Sequence, residues 1–222
     1  ALTTAIKCTI VGGQAGKSIT DTNANGTTLI GFESGASITT GGSNVAIGYL
    51  AMDSLTTGSN NIAIGASAMG DTNNDDAFNS DYNIIIGHNA GSGDWQSKCV
   101  NNVAIGSSSM NGAMDDADNN TAIGHLALNA LTTGDQLVAI GSLAGDAITG
   151  ATDSVAVGYG ALSAMTTGYG CVAIGPTALA LSTGNNNIAI GSRAGDALST
   201  TSDVVLIGTD AGGAINSTGA HY

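Results

Sequence analysis

The sequence has very few of the residues that ordinary helical proteins place on their surfaces. Glu33 is its only glutamate, Lys and Arg total four, and charged residues make up 9% of the 222 residues. Helices of globular proteins depend on Glu, Lys and Arg for helix propensity and for ion pairs between successive turns. The composition therefore argues against a helical fold.

Other shortages exclude several kinds of partner and site. The net charge is −13, and four scattered cations cannot neutralise a run of phosphates, so we expect no nucleic-acid partner. No run of 18 apolar residues occurs, so we expect no membrane insertion. Three cysteines without a C-x-x-C spacing make neither a disulfide framework nor a zinc site. The chain starts at Ala1 without a basic, apolar leader, so we expect a processed or excised part of a longer protein.

Glycine, in contrast, is abundant, with 34 residues, and twelve glycines end a short motif that recurs along the chain. Half of the copies read VAIG or IAIG, and six of the eleven spacings between successive motif glycines are 17 residues. Such a period indicates a repeat architecture. The motif glycines are Gly12, Gly31, Gly48, Gly65, Gly87, Gly106, Gly124, Gly141, Gly158, Gly175, Gly191 and Gly208.

A unit of 17 residues is too short for two helices but suits two short strands and two turns. Its β-branched residues favour strands, and its Gly, Asn and Asp residues favour turns, where asparagine tolerates left-handed geometry. The sequence predicts an all-β fold, a parallel β-solenoid (β-roll) of about twelve 17-residue rungs. We expect one domain over residues 1–222, with enlarged loops at 66–83 and 88–102.

The strand motif predicts one inward and one outward face. We expect the residues one and three positions before each glycine, which are Ile, Val or Thr, to form the core. The residue two positions before the glycine is apolar in all twelve copies, and we expect it to face outward as an oligomer interface. In the alternative interpretation, alanine is merely tolerated there on an exposed sheet. The alanines of this predicted interface are Ala46, Ala63, Ala104, Ala122, Ala139, Ala156, Ala173 and Ala189.

Two acidic segments and two enlarged loops are candidate binding sites. Hard oxygen ligands suit Ca²⁺, and the alternative for these acidic segments is solvated turns. The predicted metal ligands are Asp71, Asp75, Asp76, Asp115, Asp116 and Asp118. The enlarged loops carry Phe78, Tyr82 and Trp95, which we expect to contact a host receptor or glycan. In the alternative, Trp95 folds back and caps the roll.

Catalytic and ice-binding patterns find no support in the sequence. His88 and His125 follow repeat glycines at a variable position, and Cys8 and Cys171 lie nine repeats apart. No nucleophile elbow, zinc-protease or phosphate-loop motif occurs, so we expect no enzyme and no catalytic residues. Paired threonines such as Thr56-Thr57 point to opposite faces of an extended segment, unlike the Thr-x-Thr of an ice-binding face.

The segments NNIAIG, NNTAIGHLAL and ALTTG resemble the 17-residue arrays of bacteriophage tail fibres and other virion appendages. In those proteins such arrays often precede an intramolecular chaperone that is cleaved after trimer assembly. The VAIG units are also similar to the β-roll head of trimeric autotransporter adhesins, although repeats there are typically 14 residues long. The resemblance covers nearly the whole chain and carries no catalytic residues.

The resemblance implies a non-enzymatic structural segment of a phage tail fibre, extracellular and supporting host attachment. The alternative is a bacterial surface adhesin head or a self-assembling extracellular filament. We expect a homotrimer, a host-surface receptor or glycan as a further partner, and no cofactor other than Ca²⁺ at the acidic segments.

Overall fold

The computed structural model describes residues 7–19, 24–70 and 80–212. It confirms the predicted parallel β-solenoid: twelve strands pair in sequence order in one parallel sheet. Each strand joins the strands of the preceding and following coils in register, as Val138 pairs with Val155. The strands are β1 (Thr9–Val11), β2 (Thr28–Ile30), β3 (Val45–Ile47), β4 (Ile62–Ile64), β5 (Ile84–Ile86), β6 (Val103–Ile105), β7 (Thr121–Ile123), β8 (Val138–Ile140), β9 (Val155–Val157), β10 (Val172–Ile174), β11 (Ile188–Ile190) and β12 (Val205–Ile207).

Each coil contains one three-residue strand, so the expectation of two strands per unit is wrong for the described part of the chain. The rest of a coil turns through left-handed residues, for example Ser43, Leu50 and Met52 around β3. These turns still hydrogen-bond to the next coil: the Met52 N–H donates to the Ala68 carbonyl at 2.9 Å. Backbone hydrogen bonds between successive coils therefore occur in the turns as well as in the strands. They satisfy the N–H and C=O groups of the turns, so a second sheet is not needed to pair them.

The two faces of the strands are the reverse of the predicted ones. The middle residue of β3 to β11 is fully or almost fully buried, as for Ala139 at 1% exposure and Ala156 at 2%, while its two neighbours face outward. The outward expectation for Ala46, Ala63, Ala104, Ala122, Ala139, Ala156, Ala173 and Ala189 is wrong, because these alanines form part of the core. An oligomer interface built on them is therefore excluded.

A compensation of side-chain volume explains why alanine stands inside the coil. Where the middle strand residue is large, as Leu29 and Ile85 are, the residue four positions after the motif glycine is Gly35 or Gly91. Where the middle residue is alanine, that later position usually holds a buried Leu or Met, such as Met52 beside Ala46. The narrow interior holds at most one large side chain from these two positions, and in the coils of Ala139 and Ala189 both are small, with Gly145 and Gly195 at the later position.

Exchanging the large and the small residue at these two positions of one coil tests the volume compensation. Leu29→Ala should lower the free energy of unfolding by about 3 kcal/mol through the cavity it leaves. Gly35→Met alone should also destabilise, because a Cβ at Gly35 would lie 2.6 Å from a methyl carbon of Leu29. The double variant recreates the Ala46–Met52 pair of the next coil. Its loss of unfolding free energy, measured by chemical denaturation, should be smaller than the sum of the two single losses by at least about 1 kcal/mol. A loss equal to that sum would contradict the volume compensation.

A ladder of buried asparagines runs along one corner of the solenoid, four residues before the motif glycine. The Asn102 amide donates to the Ala117 carbonyl at 2.8 Å, and its side-chain oxygen accepts the Asn120 N–H at 3.0 Å. The same pattern links five successive coils, and these side chains are fully buried. The ladder residues are Asn44, Asn61, Asn83, Asn102 and Asn120.

In each Asn-Asn dipeptide at the ladder, the first asparagine is a turn residue and the second is a buried residue of the ladder. Asn60 and Asn101, each the first of a pair, adopt left-handed φ angles of 61° and 59°, as the turn interpretation predicts. The second residue of each pair enters the ladder, which the turn interpretation did not foresee. Among the described residues, no helix is long and apolar enough to span a membrane.

Candidate association surface

The outward residues of the twelve strands form a continuous apolar surface, which we call the outer face. It consists of two rows, the first and the third residue of every strand. Side chains alternate along a strand, so burial of the middle residue turns both neighbours outward. The first row is Thr9, Thr28, Val45, Ile62, Ile84, Val103, Thr121, Val138, Val155, Val172, Ile188 and Val205. The third-residue row is Val11, Ile30, Ile47, Ile64, Ile86, Ile105, Ile123, Ile140, Val157, Ile174, Ile190 and Ile207.

The outer face is accessible and carries no charge. Within the solenoid, the most exposed residues of the two rows are Ile123, Ile140, Ile174 and Ile190, at 37% to 39%, and the others in β3 to β11 are partly exposed to a smaller extent. Apart from three threonines, every residue of the two rows is Val or Ile. An uncharged aliphatic strip of this length exceeds the scattered apolar residues of a normal monomer surface. Among the surfaces of the described residues, the outer face is therefore the one best suited to contact another molecule.

A third row, immediately after the motif glycines, borders the outer face. It carries exposed aromatic rings at Phe32, Tyr49 and Tyr159 and exposed imidazoles at His88 and His125. The rings of Phe32 and Tyr49 stack with centroids 5.8 Å apart and planes inclined by 13°. Both histidines lie on this exposed border, as the sequence predicts for a variable surface position.

Acidic side chains lie at the turns and several of them brace successive coils. One Asp118 carboxylate oxygen accepts the Val100 N–H at 2.7 Å, and the Asp118 N–H donates to Asp135 at 2.7 Å. Asp81 accepts the Ser59 N–H in the same way at 2.6 Å. Partial burial is the main reason that the pKa of Asp118 is raised above its ordinary value. These carboxylates form a ladder of hydrogen bonds between coils, in the turn that precedes the strand.

The predicted metal site at residues 115–118 is not assembled. Within the described ranges, no three His, Cys, Asp or Glu side chains come together as a metal site would require. Asp115 and Asp116 are exposed, while the Asp118 carboxylate bonds to backbone. Asp115, Asp116 and Asp118 therefore do not form a preassembled cluster of ligands, and Ca²⁺ binding to them stays a prediction. The other predicted ligands, Asp71, Asp75 and Asp76, lie outside the described residues.

The three predicted receptor residues have different outcomes. Trp95 is fully buried in the core, so its assignment as a receptor contact is wrong and the alternative, folding back onto the roll, describes it. The indole fills the coil of β5 beside Gly91, whose Cβ would lie 3.4 Å from the Trp95 ring. Tyr82 is 61% exposed and stays a predicted contact. Phe78 lies outside the described residues.

Two cysteines lie inside the solenoid and have hydrogen bonds of their own. The Cys171 thiol donates to the Gly184 carbonyl at 3.3 Å, in the corner position that asparagine holds elsewhere. Burial raises the pKa of Cys99 to about 12 and also raises the pKa of Cys171. Thiols of this kind are inert packing residues at neutral pH.

Comparison with known proteins identifies no relative. A scan of protein-family models finds no match, and neither do searches of curated proteins and of solved structures.

Proposed function

We propose that this chain is a non-enzymatic structural segment of a phage tail fibre or a similar virion appendage, extracellular and supporting host attachment. The observation that carries the proposal is the outer face, an uncharged Val/Ile strip along a rod. Eleven steps of about 4.8 Å between twelve strands give a rod roughly 50 Å long. Such a shape suits a load-bearing shaft better than a compact binding domain.

The outer face supports assembly of the chain into a homotrimer. Burying the remaining exposed part of one Ile or Val would contribute about 0.5–1 kcal/mol, and the strip offers two rows of twelve residues. A standard stable interface uses about 20–30 residues on each side, so the outer face is large enough. Since each coil offers a strip only two side chains wide, three rods around one axis can cover their strips together.

The distribution of charge favours the same arrangement. The chain has a net charge of −13, and the acidic side chains among the described residues lie outside the outer face, at turns such as those of Asp118 and Asp135. Three chains can therefore meet along the outer face while their carboxylates remain in water, where salt screens their repulsion. The exposed aromatic border with Phe32 and Tyr49 then lies at the rim of the contact.

Immunogold electron microscopy tests the proposed location. Antibodies raised against the purified rod would be applied to particles and to cells from a culture that produces the protein. We expect gold label on tail appendages of virus particles. Label confined to the cell envelope would contradict the virion assignment and favour the adhesin alternative.

A further inference from the structure

The border row, which holds the residue directly after each motif glycine, alternates between ring-bearing and small residues from the coil of β3 to the coil of β9. Its backbone is continuous from coil to coil. The Asn89 N–H donates to the Ala66 carbonyl at 3.0 Å, and the Ser108 N–H donates to the His88 carbonyl at 3.0 Å. Neighbouring members of the row therefore lie one coil apart. In chain order the alternating members are Tyr49, Ala66, His88, Ser107, His125, Ser142 and Tyr159.

The four rings of this alternating stretch are exposed and stand two coils apart. Tyr49 and Tyr159 are both 57% exposed, and His88 and His125 are exposed as well. Two coils span roughly 9.6 Å. A further ring placed halfway between two protein rings would lie about 5 Å from each, which is within the range of stacked pairs. The row therefore offers three slots, which are centred on Ala66, Ser107 and Ser142.

We propose that these slots bind a proline-rich segment of a partner protein in the polyproline II conformation, lying along the rod. Such a segment has three residues per turn and a rise of about 3.1 Å, so every third residue faces the same side at intervals of roughly 9.3 Å. The slots recur at roughly 9.6 Å, so three prolines of one segment can enter three slots with a total mismatch under about 1 Å. The inference goes beyond the proposed function and does not depend on the homotrimer, because the border row lies beside the outer face.

The chemistry of the row suits this occupant. Proline-rich segments dock into grooves lined by aromatic rings, and their preformed helix loses little conformational entropy on binding. Their backbone has no internal hydrogen bonds, so its carbonyls can accept from the hydroxyls of Tyr49, Ser107, Ser142 and Tyr159. The net charge of −13 favours basic residues between the docking prolines. An extended β-strand fits less well, because its same-face residues recur about every 6.7 Å.

Fluorescence anisotropy with a labelled peptide tests the proposal. The probe contains four Pro-Pro-Lys repeats, and a comparison peptide of four Gly-Gly-Lys repeats has the same length and charge but a flexible backbone. At physiological salt we expect saturable binding of the proline probe and at least tenfold weaker binding of the glycine peptide. Equal binding of the two would show attraction by charge alone and would overturn the inference, as would the absence of saturable binding by the proline probe.

Two phenylalanine substitutions in the border row test whether the slots hold the probe. Ser107→Phe fills the middle slot with a ring of the protein itself, and should weaken binding of the proline probe at least tenfold. The fold already accommodates rings in neighbouring coils at Phe32 and Tyr49, whose centroids lie 5.8 Å apart. Ser192→Phe makes the same change in the same row, two coils beyond Tyr159, and should leave the affinity unchanged.

A third variant removes a ring instead of adding one. His125→Ala deletes the ring shared by the slots at Ser107 and Ser142, and should also weaken binding of the proline probe about tenfold. Unchanged affinity in both His125→Ala and Ser107→Phe would place the peptide elsewhere and overturn the inference. Binding of cellohexaose at the row in place of the peptide would assign the rings to a neutral glycan and would overturn it too.

Discussion

Gly158→Ala should lower the free energy of unfolding by about 4 kcal/mol or more. Gly158 has a φ of 134°, and a Cβ built there would lie 2.5 Å from the Gly175 carbonyl oxygen and 2.6 Å from its carbon. Strained backbone costs about 1–3 kcal/mol, and overpacking adds a similar amount when the obstacle is backbone. Because these atoms belong to the sheet of the next coil, the clash can be relieved only by separating two coils.

A neighbouring glycine provides the matched control. Gly160 also has a left-handed φ, 60°, but a Cβ there meets only a methyl group of Thr177 at 3.6 Å. Other coils hold Leu50 or Leu126 at the equivalent position with the same backbone conformation. Gly160→Ala should therefore cost about 1 kcal/mol or less. Both variants would be unfolded chemically at one protein concentration, and equal losses would contradict the close approach of the coils at Gly158.

Aspartate at two adjacent residues of β9 should have very different effects. Ala156→Asp places a carboxylate in the closed core, whose described residues are uncharged, and should cost more than about 5 kcal/mol or abolish folding. Val155→Asp places the same group on the outer face, where water can reach it in a single rod. It should cost about 1 kcal/mol through reduced strand propensity.

Circular dichroism and thermal melting would separate the two variants. A folded Ala156→Asp protein, together with an unfolded Val155→Asp protein, would show that the face assignment is reversed. The comparison is informative because both variants add one negative charge to the same strand. They differ in whether the side chain points into the core or outward.

The sequence predicted the architecture because the glycine period is a strong signal. Gly158 and its counterparts recur with a spacing near 17, and a strand forms wherever the motif occurs, although the second strand expected in each unit is missing from the described coils. The faces could not be assigned in the same way. Alternation distinguishes inside from outside only when one side is polar, and here Ala156 and its neighbours Val155 and Val157 are all apolar.

The signal that would have assigned the faces was present at a longer spacing. Leu29 is followed by Gly35, whereas Ala46 is followed by Met52, and such exchange of volume is expected only between side chains that share a core. The asparagine ladder was hidden for a different reason. Asn101 and Asn102 have the same side chain, and only their coil geometry makes one a turn residue and the other a buried hydrogen-bonding group.

The sequence did not predict the burial of Trp95 or the backbone partner of Asp118, because loop composition does not determine side-chain direction. Trp95 lies in an enlarged unit, yet its large apolar ring is stabilised more by the core than by exposure. Asp118 lies in an acidic run, yet its carboxylate accepts a backbone N–H of the preceding coil. Both outcomes depend on contacts with another coil, which no local pattern specifies.

Sedimentation equilibrium at micromolar concentration and physiological salt tests most directly whether the outer face joins chains. The chain has a mass of 21.5 kDa, so the homotrimer should sediment with a mass of about 65 kDa. Val155→Asp should reduce this mass toward that of one chain, because a carboxylate would be desolvated in the contact. A mass of 21.5 kDa for the unchanged chain, or an undiminished trimer for Val155→Asp, would contradict assembly through the outer face.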